Sequence, residues 1–265
     1  APKSADLTAA KVTDVAQLIK PGPARWGTAI EVSGKLGEGK AGFAVDDIPF
    51  PEDNPWKSWF RPGGHDFFPD GTCAVVNISG DVFLVAGLDE SLGKVTWRRF
   101  ATALFQPLGC VVADGKVYVL GRDQITRLHD TNGDGEADFY ENFNSDCVVT
   151  ENYHEFALDL VPASKGNFYY AKGSPWTPTV TSPHQGCLLR VSKDGSKMDI
   201  VATGLRAPNG LGIGPNDELT VSDNQGHWMP ANRLNLVRPG GFYGMVPAAH
   251  RGMTFKRVGG TEFKA

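Results

Sequence analysis

The sequence predicts an all-β protein of the β-propeller class, and three observations carry that prediction. Units of strand, tight turn, strand, polar loop and strand recur at roughly 40 to 50 residues, the period of propeller blades. Turn residues punctuate every unit, and the 32 glycines and 18 prolines among 265 residues exceed average usage. Short β-branched runs, rather than long helical periods, hold the apolar residues. One unit alone exposes an apolar sheet face, which stacking around an axis buries. A β-sandwich of unrelated hairpins is the competing architecture, and the regular order of the units disfavours it.

Residues 1–50 read as a lead-in and residues 51–265 as blades. Leu7, Val12, Val15 and Leu18 have weak helical spacing that stops before Pro21-Gly22-Pro23. Trp26 to Val45 has room for one or two strands, and Pro49 to Pro62 reads as a packed loop. The first clear blade runs from His65 through the Pro69-Asp70-Gly71 turn to Val76, with Gly80 to Val85 as its third strand. The second is Leu108 to Leu120 about Asp114-Gly115, continued by Gln124 to Leu128. A third covers Phe156 to Val161, Asn167 to Ala171 after Ser164-Lys165-Gly166, and Gly186 to Val191. The fourth, Gly204 to Gly244, has strands near Leu211–Ile213, Glu218–Ser222 and Asn232–Val237. Only about 20 residues follow Gly244, too few for another unit. The expectation is a six-bladed type with four clear blades here, in a piece of a longer protein.

A formal net charge of −4 favours neither nucleic acid nor an acidic membrane surface as partner. No run approaches the roughly 18 apolar residues of a membrane span. Ala1-Pro2-Lys3-Ser4 lacks a signal-peptide core and is compatible with a mature end after cleavage. Cys73, Cys110, Cys147 and Cys187 form no CxxC pair. Cys147 and Cys187 are candidates for a disulfide in an exported protein, and all four also suit small buried hydrophobes.

The sharpest local motif is Asp130-Thr131-Asn132-Gly133-Asp134-Gly135-Glu136-Ala137-Asp138-Phe139-Tyr140-Glu141. As a calcium loop it places Asp130, Asn132 and Asp134 at positions 1, 3 and 5, with Gly135 at the sharp turn. Glu136 offers its carbonyl, Asp138 a direct or water-mediated contact, and Glu141 a bidentate carboxylate. Strands flank it rather than helices, so the expected role is to pin a blade-edge loop. An ion-free Asp/Asn/Gly turn is the alternative. The second constellation is Asn152-Tyr153-His154-Glu155, just before the third blade's first strand. Loops entering innermost strands ring a propeller's central channel, so His154 is a candidate base there. Arg206 and Asn209 occupy the matching place in the next blade, and His65 the matching place in the first. His184-Gln185 and Asn224-Gln225-Gly226-His227 lie on loops that reach toward the same mouth.

The central stretch resembles the soluble glucose/sorbosone dehydrogenases, six-bladed propellers that use pyrroloquinoline quinone and calcium. Arg206, Pro208, Asn209, Gly210, Leu211, Pro215, Asn216, Gln225, Gly226, Asn235, Leu236, Gly240, Gly241, Tyr243 and Gly244 meet that family's pattern. His154, followed by Leu158 to Val161 and Phe168 to Tyr170, is similar in position to the family's catalytic histidine. The resemblance implies His154 as general base, Arg206 and Asn209 as cofactor contacts, and the backbone of Gly226 and His227 beside a catalytic calcium. Asn54 to His250 also resembles exported bacterial dehydrogenase-like propellers that often carry cytochrome or carbohydrate-binding modules. The Asp130–Glu141 loop lies outside the dehydrogenase pattern.

The expectation is therefore a periplasmic or secreted sugar or polyol dehydrogenase with quinone and calcium as cofactors, and a cytochrome as candidate electron acceptor. Two alternatives stay open. One is a non-catalytic, calcium-stabilised propeller that binds carbohydrate or a partner protein. The other is a polysaccharide lyase or hydrolase that uses His154 with Tyr153 or Glu155.

Overall fold

The computed structural model describes residues 14–39, 42–175, 182–224 and 232–246, with the backbone of two strands beyond them. The anticipated helix is described only from Asp14 onward, as α1 (Val15–Leu18), where the Asp14 side chain accepts from the Ala16 amide at 3.0 Å. Strand β1 (Ile30–Val32) follows. The first sheet adds β2 (Pro62–Phe67), β3 (Cys73–Asn77), β4 (Val82–Ala86) and β5 (Val95–Ala101), with β1 paired outside β5. The second holds β6 (Gly109–Ala113), β7 (Lys116–Leu120), β8 (Ile125–His129) and β9 (Phe139–Asn144). The third holds β10 (Ala157–Pro162), β11 (Phe168–Lys172), β12 (Leu188–Val191) and β13 (Met198–Ala202). The fourth holds β14 (Leu211–Ile213), β15 (Leu219–Asp223) and β16 (Arg233–Leu236), and β17 (Thr254–Lys256) pairs with β18 (Glu262–Lys264).

The first four sheets are antiparallel meanders, and they are arranged as four blades of a propeller. Period-two alternation shows how. On β3, Ala74 and Val76 face the second blade, while Cys73 and Val75 face the lead-in. On β7, Val117 and Val119 pack toward the first blade, while Tyr118 and Leu120 pack toward the third. Blades three and four meet at Ala171, Leu188, Leu205 and Val221. Each core layer thus lies between neighbouring sheets. The first blade's other face is covered by Val32, Ile48, Trp56 and Phe60, with the Phe60 ring 4.8 Å from Phe83.

Innermost strands run side by side in one direction. The Asp66 carboxylate of β2 accepts from the Val112 amide of β6 at 2.7 Å. Asp159 of β10 accepts from the amides of Gly210 and Leu211 at 2.6 and 2.7 Å, from a backbone φ of 56° inside a register shift. Gly109 permits the close approach of β6 to β10, since a Cβ there would lie 2.7 Å from the Asp159 carbonyl carbon.

The fourth strands β5, β9 and β13 were not anticipated. They are outer strands with mixed exposure, such as Met198-Asp199-Ile200-Val201-Ala202, so their sequences lack a buried strand's apolar run. Strand β2 also starts at Pro62, ahead of His65.

Candidate functional site

Pairing fixes which loops share a face. Pro62 opposes Asn77, Gly109 opposes Leu120, Ala157 opposes Lys172 and Leu211 opposes Val221. Loops entering the innermost strands therefore lie at the same end as loops leaving the second strands. His154 and Arg206 both belong to entering loops, so they lie on one rim.

The dipeptide Gly173-Ser174, which leaves β11, joins them. A Cβ at Gly173 would stand 2.5 Å from the His154 carbonyl oxygen, and the Gly173 amide donates to Phe156 at 2.8 Å. The Ser174 amide donates to the Arg206 carbonyl at 2.7 Å, and the Arg206 guanidinium donates back to the Ser174 carbonyl at 2.6 Å. One backbone segment thus touches both residues. The His154 amide donates to the Asn152 side chain at 3.0 Å, and its ring lies 4.0 Å from that of Tyr153.

Beneath the rim is a buried polar belt that sequence reasoning largely missed. Lys172 and Glu155 are 0% and 1% exposed, with Nζ 3.8 Å from Oε2. The lysine donates to the Val148 carbonyl at 2.5 Å, and Gln185 Nε2 donates to Glu155 Oε1. Arg122 donates to the Gln106 side chain and to the carbonyls of Thr150 and Asn152. Burial lowers the pKa of both Arg122 and Arg206, partly offset by the charges of Glu155 and Asp223 respectively. Among the described residues, Arg122 Nε, Glu155 Oε2, Ser174 Oγ and Gln185 Oε1 are buried without a hydrogen-bond partner. A lysine ending an apolar strand reads in sequence as a solvated charge, so the pattern around Lys172 does not mark it as a member of this belt.

Asp223 ends β15 and accepts from the amides of Arg206, Ala207 and Asn224, holding the blade-four loop. Beside it is a cavity of about 310 Å³ lined by Ala207, Asn209, Ser222, Asp223, Asn224 and Asn232. Asn209 is thus exposed at a polar pocket whose size is at the lower end of small-molecule sites. Gly226 and His227 lie outside the described residues. His184 accepts from the Val148 amide through Nδ1 at 3.0 Å, close to the same belt. His65 is corrected: it sits inside β2 opposite Val75, and the position matching His154 in the first blade is Trp59.

The Asp130 loop is a closed network of turns. Asp130 accepts from the amides of Gly133 and Gly135 at 2.7 and 2.8 Å, Asn132 from Asp134 at 3.0 Å, and Asp134 from Glu136 at 3.0 Å. Asp138 accepts from the Thr131 amide and hydroxyl, both at 2.9 Å. The buried Glu136 carboxylate receives the amides of Arg25 and Trp26 at 2.6 and 2.8 Å, which clasps the lead-in to this loop. Arg98 donates to the Asp134 carbonyl and brings a cation to the acidic turn. Glu141 is placed elsewhere: it lies in β9, bound by Arg127 and His129 at 2.6 Å each, which lowers its pKa. Among the described residues, no three His, Cys, Asp or Glu side chains converge as a metal group. Asp130, Asn132, Asp134 and Asp138 spend side-chain oxygens on donors within the turn, and Glu141 lies apart from them in β9. All four cysteines are buried free thiols, with Cys147 and Cys187 in one core layer.

No protein-family model and no curated protein matches the sequence. Solved structures do match in fold. An oxidoreductase of Thermus thermophilus described as a glucose dehydrogenase gives a TM-score of 0.55 at 18% identity, over 70% of this chain and 64% of that one. The apo form of the soluble aldose sugar dehydrogenase of Escherichia coli gives 0.54 at 16% identity, over 69% and 62%. The PQQ-bound aldose sugar dehydrogenase of Streptomyces coelicolor gives 0.53 at 16%, over 70% and 62%. The chain spans less than two thirds of the length of each of these. At such identities the likeness is one of architecture: this chain is built on the β-propeller fold of the glucose and aldose sugar dehydrogenases.

Proposed function

We propose that this chain forms part of a quinone-dependent dehydrogenase of sugars or polyols, acting at the rim that carries both His154 and Arg206. The observation that carries the reading is the Gly173-Ser174 bridge, which ties the His154 loop of blade three to Arg206, in the same loop as Asn209 and the polar cavity it lines. Pyrroloquinoline quinone, when bound, supplies a two-electron acceptor for hydride. His154 takes the substrate hydroxyl proton, a task suited to an imidazole near neutral pH. The Arg206 guanidinium and the Asn209 amide would hold the acidic cofactor when it is bound. The unmet polar atoms Arg122 Nε and Ser174 Oγ support a polar ligand at this rim.

A calcium belongs to the Asp130 loop, held by Asp130, Asn132, Asp134 and Asp138 with the Glu136 carbonyl, and its role is structural. The protein works in the periplasm or outside the cell and passes electrons to a cytochrome. Among the described residues, no helix is long and apolar enough to cross a membrane.

The test is dye reduction by the chain reconstituted with quinone and calcium against a panel of aldoses and polyols. The expected result is sugar-dependent reduction that His154→Ala abolishes and Arg206→Ala weakens with loss of the bound-quinone spectrum. No turnover and no quinone binding would falsify the reading. Chelation is expected to lower the thermal midpoint, and Asp130→Ala to remove that calcium dependence.

A further inference from the structure

Once each loop is aligned on the strand it enters, the rim shows a repeat of its own. An exposed ring stands three residues ahead of the innermost strand in blade one, Trp59, and four ahead in blades two and three, Phe105 and Tyr153. These rings are 65%, 46% and 67% exposed. Blade four has Ala207 at the matching position, and Ala207 lines the 310 Å³ cavity. Three aromatic posts thus stand around one face, with a small residue where the cavity lies.

Each ring is held on a supported backbone beside a polar group. Asn77 donates to the Trp59 carbonyl at 2.7 Å, and the Arg61 guanidinium lies 4.7 Å from the indole centroid. The Arg122 amide donates to the Phe105 carbonyl at 2.8 Å, with its guanidinium 5.8 Å from the ring. Tyr153 rests on His154. The posts are also linked. Ser79 bonds the Trp59 carbonyl, the next residue Gly80 accepts from the Leu104 amide at 3.1 Å, and Phe105 follows. Arg122 then spans from Gln106 to the carbonyls of Thr150 and Asn152, and Gly173-Ser174 carries the line from His154 to Arg206.

Water-exposed aromatic faces recur in the entering loops of three blades, two of them beside a guanidinium, and together offer a surface that a ligand with an apolar face can cover. A pyranose ring is the complementary partner, because it offers an apolar C–H face to the aromatic plane and hydroxyls to a flanking guanidinium. One sugar covers one ring, whereas three posts on three consecutive blades call for a chain of sugars. We infer that the rim bearing Trp59, Phe105 and Tyr153 is a platform for an oligosaccharide, whose end unit reaches the cavity at Ala207 and Asn209. The inference rests on the proposed dehydrogenase reading for where that end unit reacts, but not for the binding itself.

Calorimetric titration of the full chain with cello-, xylo-, malto- and chitohexaose and with their monosaccharides tests it. At least one hexaose is expected to bind about tenfold or more tightly than its monosaccharide, near 1.4 kcal/mol. Trp59→Ala and Phe105→Ala are each expected to weaken that hexaose about fivefold or more, with monosaccharide affinity held within about twofold. The Trp59 ring is the cleaner deletion, being largely exposed, and an unchanged thermal midpoint confirms that its variant is folded. Equal affinity for hexaose and monosaccharide, no binding by any hexaose, or wild-type hexaose affinity in both variants overturns the inference. Sugar oxidation indifferent to chain length removes the platform and leaves the dehydrogenase. Hexaose binding that the variants weaken, without any oxidation, does the reverse.

Discussion

Replacing Lys172 by Met tests whether the buried belt supports the rim. The ammonium is fully enclosed, 3.8 Å from Glu155 Oε2, and it donates to the Val148 carbonyl at 2.5 Å. At that separation and an effective dielectric of about 20, the attraction is about 4 kcal/mol. The hydrogen bond adds about 1 kcal/mol, while methionine refills most of the volume. Desolvation of both ions has already offset part of this in the intact pair, but removing one partner strands the other. The expected loss is about 3–5 kcal/mol, a large fraction of the about 5–15 kcal/mol that holds a domain folded. The assay is urea unfolding of wild type, Lys172→Met, Glu155→Gln and the double variant at neutral pH. The double variant is expected to recover about 2 kcal/mol or more relative to additivity, since no charge is then left unpaired. Additive losses, or a Lys172→Met loss below about 1 kcal/mol, refute the pair as a coupled element.

Three further outcomes follow from the geometry. Gly173→Ala places a methyl 2.5 Å from the His154 carbonyl; it is expected to cost about 1–3 kcal/mol in urea unfolding and, with His154 as base, about 100-fold in dye-reduction rate. The Glu141 carboxyl is held below its ordinary value of 4.5, first by Arg127 and then by His129. Because the folded value is the lower one, this stabilisation is present above pH 4.5 and lost as pH falls through the folded value, so Glu141→Gln flattens the acid limb of the thermal midpoint against pH. Burial pushes the Cys73 thiol up to about 11 and Cys187 up to about 12, and raises Cys110 and Cys147 as well. At pH 8 a thiol reagent is therefore expected to label none of them in the folded protein and all four after denaturation; a titre of two would reveal a disulfide.

Turns were the most legible part of this fold. Pro69-Asp70-Gly71, Asp114-Gly115, Ser164-Lys165-Gly166 and Pro215-Asn216-Asp217 all connect the first two strands of a blade, and Gly71, Gly115, Gly166 and Asp217 adopt positive φ there. Central strands were legible for a related reason: packed on both faces, β3 is apolar from Cys73 to Val76. The outer strands were not, because one edge lies at the end of the sheet and the pattern breaks into residues such as Asp199 on β13. Strand starts were shifted as well. Gly63 and Gly64 carry no apolar signal, yet they belong to β2, where lack of side chains lets the strand approach Leu108 and Gly109. With β2 starting at Pro62, His65 lies inside the strand and Trp59 in the loop that enters it.

The same logic separates what could and could not be read at the site. His154 and Arg206 stand out in sequence because imidazole and guanidinium are chemically distinctive beside turn residues. Their shared link runs through Gly173 and the Ser174 amide, and a backbone contact leaves no side-chain signature to search for. The Asp130 loop differs at its last position only. Its spacing is complete through Glu141, but a strand begins at Phe139, and the pairing of β9 with β8 sets Glu141 opposite Arg127. Sheet pairing repeats over five register positions and cannot yield one residue to a turn without releasing its neighbours. A loop ligand that lies inside a strand is therefore decided by the sheet, and here the sheet assigns Glu141 to a cation already present in the chain.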